Sequence, residues 1–241
     1  MCLFRKGPFI VRVQSLTLAV AGVALLAPSM AAAAEPRVPA ESTALREGDV
    51  RASDLLARVR DCTRISHGRF RADHGKRANV AVCGTRHAVF WKADMDIDCD
   101  GQSGPRCNRR TDPLFSAATA YQQSDGRPLS AERLPYVVVP AAGSVWHPTD
   151  DGVRGGSIAA VVYRDRVQYA VVGDIGPRGL IGEASYATAK GLGINPDPLR
   201  GGVSSGVTYI VFKNSQAKPI ESHTAAVAAG RRLAWRFVQG E

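Results

Sequence analysis

Short runs of β-branched and aromatic residues, each bounded by turn formers, constrain this chain more than any other feature. Ile158–Val162 with Tyr163 forms one run and Val167–Val172 a second, separated only by Arg164-Asp165-Arg166. That spacing predicts two strands joined by a tight turn. Tyr136-Val137-Val138-Val139-Pro140, Val207–Phe212 and Arg86–Trp91 read as further strands. Helical signals are fewer. Ser53 can cap a short helix with Leu55, Leu56 and Val59 on its apolar side, and Tyr186–Leu192 reads as a helix closing at Gly191 or Gly193. Thr224–Arg232 is expected to be helical, with Leu233, Trp235 and Phe237 alternating in a last strand. Asp112-Pro113 and Ser124-Asp125-Gly126-Arg127-Pro128 are turns. No repeat, low-complexity tract or internal linker interrupts the pattern. It predicts a β-rich α+β single domain with a few short helices, its strands closed into a barrel or stacked as a sandwich.

Arg5, Lys6 and Arg12 precede the apolar run Leu16–Ala27 and the alanines up to Ala34. Residues 1–34 therefore read as a signal peptide, too short in its apolar core to span a bilayer. Residues 35–51, rich in Pro, Ala and charge, read as a flexible leader, and 52–241 as the functional domain. The product is expected outside the cell, or in the periplasm where an outer membrane exists. After cleavage Cys62, Cys83, Cys99 and Cys107 remain, an even number in an exported chain, which suggests two disulfides. Three pairings are possible, and proximity in sequence favours Cys62–Cys83 and Cys99–Cys107. No C-x-x-C or paired-histidine spacing supports zinc. The precursor carries a net charge of +9, and loss of Arg5, Lys6 and Arg12 with the signal peptide leaves about +6. The basic residues are scattered and lack interleaved aromatics, so no nucleic-acid module is indicated. A monomer with no membrane partner after cleavage is expected.

Val171-Val172-Gly173-Asp174-Ile175-Gly176-Pro177-Arg178-Gly179-Leu180-Ile181-Gly182-Glu183-Ala184-Ser185 places carboxylates at both ends of what reads as a β-hairpin. Gln168, Ala170, Val172 and Asp174 share one face of its first strand. A symmetric turn would pair Val172 with Glu183 and Asp174 with Ile181, making the two acids diagonal neighbours roughly 7–8 Å apart. Two carboxyls so placed are what glycosidic-bond hydrolysis requires: inverting enzymes need roughly 6.5–9.5 Å between them, retaining ones about 5–5.5 Å. An apolar strand face would keep Asp174 protonated as general acid, and a helix N-terminus would keep Glu183 ionised as general base. The reverse assignment stays open, as do an Asx turn at Asp174 and simple helix-end stabilisation by Glu183.

A second acidic constellation is Ala93-Asp94-Met95-Asp96-Ile97-Asp98-Cys99-Asp100-Gly101. In an extended chain Asp94, Asp96, Asp98 and Asp100 point one way, an arrangement that calls for a counter-cation. One such cation is calcium at Asp96, Asp98 and Asp100, which match the opening of a D-x-D-x-D-G loop; Cys107 stands where the loop's twelfth-position glutamate belongs, so no metal is assigned. The other is a protonated amino sugar, with the four aspartates as binding residues. A locally paired acidic turn beside Arg106, Arg109 and Arg110 is the third reading.

Met95-Asp96-Ile97-Asp98-Cys99-Asp100-Gly101, Leu134-Pro135-Tyr136-Val137-Val138-Val139-Pro140, Val172-Gly173-Asp174 and Ile181-Gly182-Glu183-Ala184-Ser185 together resemble the chitosanases of glycoside hydrolase family 75. The resemblance runs from about Phe90 to Phe212, with the four blocks in the family's order. It implies endo-hydrolysis of the β-1,4 linkages of chitosan with inversion, the acid–base pair falling on Asp174 and Glu183. The block Gly173-Asp174-Ile175-Gly176-Pro177 with the short helix that follows is also similar to the core of double-psi β-barrels, as in expansins and some lytic transglycosylases. A closed, double-psi-like barrel is the architecture this implies. An exported hydrolase or transglycosylase of peptidoglycan, or a non-catalytic glycan-binding module, are the competing functions.

Overall fold

A computed structural model describes Glu47 and residues 49–241. The expected signal peptide and most of the leader lie outside the described residues. The elements are α1 (Ala52–Arg58), β1 (Cys83–Gly84), β2 (Ala88–Asp98), β3 (Tyr136–Pro140), β4 (Ile158–Tyr163), β5 (Arg166–Gly176), β6 (Glu183–Ser185), α2 (Tyr186–Leu192), β7 (Val203–Phe212) and α3 (His223–Gln239). The strands run β1-β2-β6-β3-β5-β4-β7, and a further pairing of β2 with β7 closes six of them into a barrel. β2 pairs with β6, and β3 with β5, in parallel; the remaining pairings are antiparallel. Closure leaves no long unpaired edge on these buried strands.

Alternation along the strands divides the apolar residues into two cores. Val89, Trp91, Met95, Val137, Val172 and Tyr209 belong to one, where Trp91 stacks on Tyr209 with ring centroids 5.2 Å apart. Phe90, Tyr136, Val138, Tyr169, Val171 and Phe212 belong to the other, together with Leu55 of α1 and Ala226, Ala234 and Phe237 of α3. Helices α1 and α3 therefore cover one face of the barrel wall, whereas Ala189 and Leu192 of α2 join the other core.

Three local expectations change. The last strand is absent: α3 continues through Leu233, Trp235 and Phe237 to Gln239. Ala226, Gly230, Ala234 and Phe237 recur at helical spacing and are its buried residues. The cap of α1 is Arg51, which makes no side-chain bond, and Ser53 lies inside the helix. At the end of the segment read as a mobile leader, Val50 is buried. Glu47 there accepts the Tyr169 N–H at 2.7 Å and pairs with His223 Nε2 at 2.6 Å, two contacts that tie it to β5 and α3. The disulfides are the expected Cys62–Cys83 and Cys99–Cys107. Helix α2 ends on Gly193 in the left-handed conformation, φ 70°, as one of the two expected stops. Among the described residues no helix is long and apolar enough to cross a membrane.

Candidate active site

The two carboxylates do not sit on a hairpin. β3 lies between β5 and β6, so neither the Val172–Glu183 nor the Asp174–Ile181 pairing forms. β3 is buried along its whole length, and only a position between two strands satisfies both of its hydrogen-bonding edges. Val138 pairs with Asp174 of β5 on one side. On the other, Val137 pairs with Ala184, which places Val138 beside Glu183 one step along the same register. Glu183 in turn pairs with Asp96 of β2. A single row thus runs Asp96, Glu183, Val138, Asp174 across four strands.

Asp174 reaches that row through a bulge. Val172 pairs with Val137 and Asp174 with Val138, so Gly173 is an extra residue in β5. Asp174 consequently leaves the face of Ala170 and Val172 and joins that of Val138. Only glycine fits at the bulge, because a Cβ there would lie 2.6 Å from Tyr136 Cβ and 2.9 Å from Leu129 Cδ1. Glu183 is aimed by its own neighbours. Gly182, at φ 121°, leaves no room for a side chain, because an added Cβ would run into Asp94 Oδ1, and its carbonyl accepts the Asp96 N–H at 2.8 Å. Ser185 Oγ caps α2 by accepting from Thr188 N, accepts the Tyr136 N–H at 3.0 Å and donates to Leu134 O at 2.9 Å. Glu183 Oε2 reaches past Val138 to lie 3.5 Å from where a Cβ on Gly176 of β5 would stand.

A cleft of about 420 Å³ opens over this row. Asp96, Asp98, Asp100, Asp112 and Glu183 line it, and no lysine, arginine, tryptophan, tyrosine or phenylalanine is among its lining residues. Asp174 is not on the cleft wall. It is 6 % exposed, and its Oδ1 accepts the N–H groups of Ala120 at 2.7 Å and Ile175 at 2.8 Å. Its carboxylate joins those of Asp98 and Asp100 in one cluster, all within 4.8 Å, and those two do face the cleft.

The acidic ladder divides in two. Asp94, Asp96 and Asp98 lie on one face of β2, but Asp94 and Asp96 gather with Asp73, whereas Asp98 and Asp100 gather with Asp174. Asp94 does not line the cleft: it is buried beneath Gly182. β2 stays extended through Asp98, and Asp96 falls in a different cluster from Asp98 and Asp100, so the three aspartates of the D-x-D-x-D-G run do not converge on one point.

Burial dominates the electrostatics. It lifts Glu183 to about 7, with further contributions from Asp96, Asp100 and Asp174. Glu183 therefore favours its protonated form more than a helix N-terminus alone would allow: burial and then the neighbouring carboxylates raise it, and Ser185, not Glu183, caps α2. Burial also lifts Asp94 to about 7, Asp100 to about 6, and Asp98 well above the carboxylate range, Glu183 being its next largest influence. Asp174 is raised by burial, but the Ala120 and Ile175 N–H groups pull it back towards the charged form. These groups hold protons in the fold at a pH where the unfolded chain has released them. Their contribution to stability is complete below about pH 4 and is lost as pH rises through about 7. Melting temperature is therefore expected to fall from about pH 5 to pH 8, and Asp94→Asn to flatten that slope. A flat or rising profile of the parent protein in thermal melts would contradict this.

Asp73, Asp112, Leu114 and Leu199 were not legible as site residues. Asp73 and Leu199 carry no local motif beyond a turn, and only the repeated Asp-Pro-Leu tripeptide at 112–114 and 197–199 offered a signal.

The chain is similar to endo-chitosanase C of Aspergillus oryzae, 29% identical over 135 residues that cover 54% of this chain and 33% of that protein. It is also similar to endo-chitosanase B of Aspergillus oryzae (strain ATCC 42149 / RIB 40), 31% identical over 140 residues, 54% of this chain and 57% of that protein. The chain thus spans between a third and just over half the length of these relatives. The family described as fungal chitosanase of glycosyl hydrolase group 75 matches residues 95–236, a stretch that contains the barrel from the end of β2 to α3, both aspartate clusters but for Asp73 and Asp94, and Glu183, and the chain belongs to that family.

Proposed function

We propose that this protein is an exported chitosanase that cleaves internal β-1,4 linkages of chitosan with inversion. The observation that carries the reading is the carboxylate-lined cleft over the row of Glu183, Val138 and Asp174. Glu183 Oε2 lies beside Gly176, two residues along β5 from Asp174 on the same face. Backbone positions two residues apart along a strand are separated by about 6.5–7 Å, and this spacing supports placing the two carboxyls in the range of roughly 6.5–9.5 Å that leaves room for a water in an inverting site.

The environments of the two groups divide the work. Glu183, protonated up to about pH 7, is the general acid that protonates the leaving oxygen. Asp174, its charge supported by two backbone N–H groups, is the general base that activates water on the side of Asp98 and Asp100. Asp96 and Asp100 recognise the protonated amino groups of the polymer by charge, Asp98, neutral until a cation draws off its proton, by hydrogen bonding, and Asp94 supports Glu183 from below. The chain's net charge of +9 does not oppose this, because screening confines distant charges to about 8–10 Å while the cleft itself is acidic. Two formed disulfides suit an oxidising compartment and support export.

The test is a digest of partly acetylated chitosan with product anomers followed by NMR. New reducing ends released as the α-anomer are expected. The β-anomer would overturn inversion, and absence of new ends would overturn the activity. Clearing of peptidoglycan without chitosan cleavage would establish the rival hydrolase. Raising salt from about 0.05 to 0.5 M is expected to raise KM, since amino-group recognition is electrostatic; an unchanged KM would remove the aspartates from that role.

A further inference from the structure

Two leucines in the cleft have no part in the acid–base chemistry, and the same small device holds both. Asp112-Pro113-Leu114 and Asp197-Pro198-Leu199 are identical tripeptides from loops far apart in sequence, and both bring their leucine to the cleft wall. In each, the aspartate Oδ1 accepts the N–H of the leucine two residues on, at 2.9 Å. Proline restricts the residue between. The first turn is braced by the Asp112 N–H donating to Asn108 O at 2.8 Å, and the second by Arg200 N–H donating to Asp197 Oδ1 at 2.9 Å. Leu114 is nonetheless 89 % exposed and Leu199 61 %. Scattered exposed leucines need no explanation. Two presented by the same rigid turn on one cleft are a built feature, and the fold gains little from either.

We propose that Leu114 and Leu199 are substrate-positioning residues that seat the apolar C–H faces of the sugar rings. This rests on the chitosanase reading above. A β-1,4-linked glucosamine chain carries its amino and hydroxyl groups on the ring edges and only C–H on the ring faces. Asp96, Asp98 and Asp100 address the edges. The faces require apolar surface, and with no tryptophan, tyrosine or phenylalanine lining the cleft the exposed leucines supply it. Because each turn is ordered before substrate arrives, the contact costs little ordering entropy. A C–H contact is blind to charge at the amino position, so it holds acetylated and free sugars alike and is insensitive to salt.

Leu114→Ser and Leu199→Ser, alone and combined, test this while keeping Asp and Pro of each turn. Each single change is expected to raise KM for chitosan about threefold, and the pair about tenfold, with the loss falling on KM rather than kcat and the pH profile unshifted. The increase should be the same at low and high salt, and Leu114→Met with Leu199→Met should restore KM. A double serine variant with KM within about twofold of the parent overturns the proposal and leaves the chitosanase reading intact. So does a loss confined to kcat, or a melting temperature that falls in step with the rise in KM. A parent protein that cleaves no chitosan overturns the chitosanase reading and the leucine contact with it.

Discussion

Glu183→Gln is expected to lower chitosan hydrolysis about a thousandfold, since an amide cannot deliver the proton that the leaving oxygen needs. The same variant should melt at an equal or higher temperature near neutral pH. Glu183 is buried among Asp96, Asp100 and Asp174, and removing its titratable group relieves a repulsion that the fold otherwise bears. Activity and stability moving apart in this way would distinguish a catalytic carboxyl from a structural one. Asp174→Asn is expected to lose a comparable factor. Azide should restore part of the activity to Asp174→Asn and none to Glu183→Gln, because an external anion replaces a base and not an acid. Rescue of the glutamine variant alone would exchange the two roles. Activity near that of the parent in either variant would remove that residue from the chemistry.

Gly182→Ala carries the second large effect. The position has φ 121°, where an L side chain is strained, and the added methyl would collide with Asp94 Oδ1. Strain of about 1–3 kcal/mol adds to an overpacking cost of similar size. For a domain of this length that total corresponds to a fall in melting temperature of roughly 4–24 °C. Because Gly182 O also accepts the Asp96 N–H, the shift passes directly to the strand ends that carry Asp96 and Glu183, and activity should fall more steeply than stability at low temperature. Gly179→Ala is the internal control. An added methyl there meets only the Arg71 guanidinium, at 4.0 Å, and both stability and activity should stay near the parent. Equal behaviour of the two alanine variants in melts and kinetics would show that the Gly182 turn does not aim Glu183.

Position in sequence explains why Asp174 and Glu183 stand out as a pair while the strand inserted between them does not show. Asp174 and Glu183 fall in one short segment with turn residues between, and a local reading closes that segment into a hairpin. Strand pairing is not local. β3 is a continuous apolar run with no polar alternation, which marks it as buried without saying which strands flank it. The bulge at Gly173 was equally hidden, because its cause is the Tyr136 and Leu129 side chains packed against it, some forty residues earlier in the chain. The helical stretch at 233–237 was lost for a related reason. Leu233, Trp235 and Phe237 alternate as a strand would, yet the packing of Tyr169 on Gly230 and of Phe237 on Phe212, with ring centroids 5.9 Å apart, makes a helix the arrangement that buries more.

The amino-acid sequence by itself determined the β-rich class, the disulfide partners favoured by proximity, the helix stop at Gly193 and the identity of the acidic residues, because each depends on neighbours along the chain. Only the tertiary structure decided how those acids are grouped and which of them hold protons. Asp94 and Asp96 are drawn to Asp73, Asp98 and Asp100 to Asp174, by strand register and loop packing. Burial, which depends on every element covering the site, then raised Glu183, the group that a helix end alone would have kept ionised.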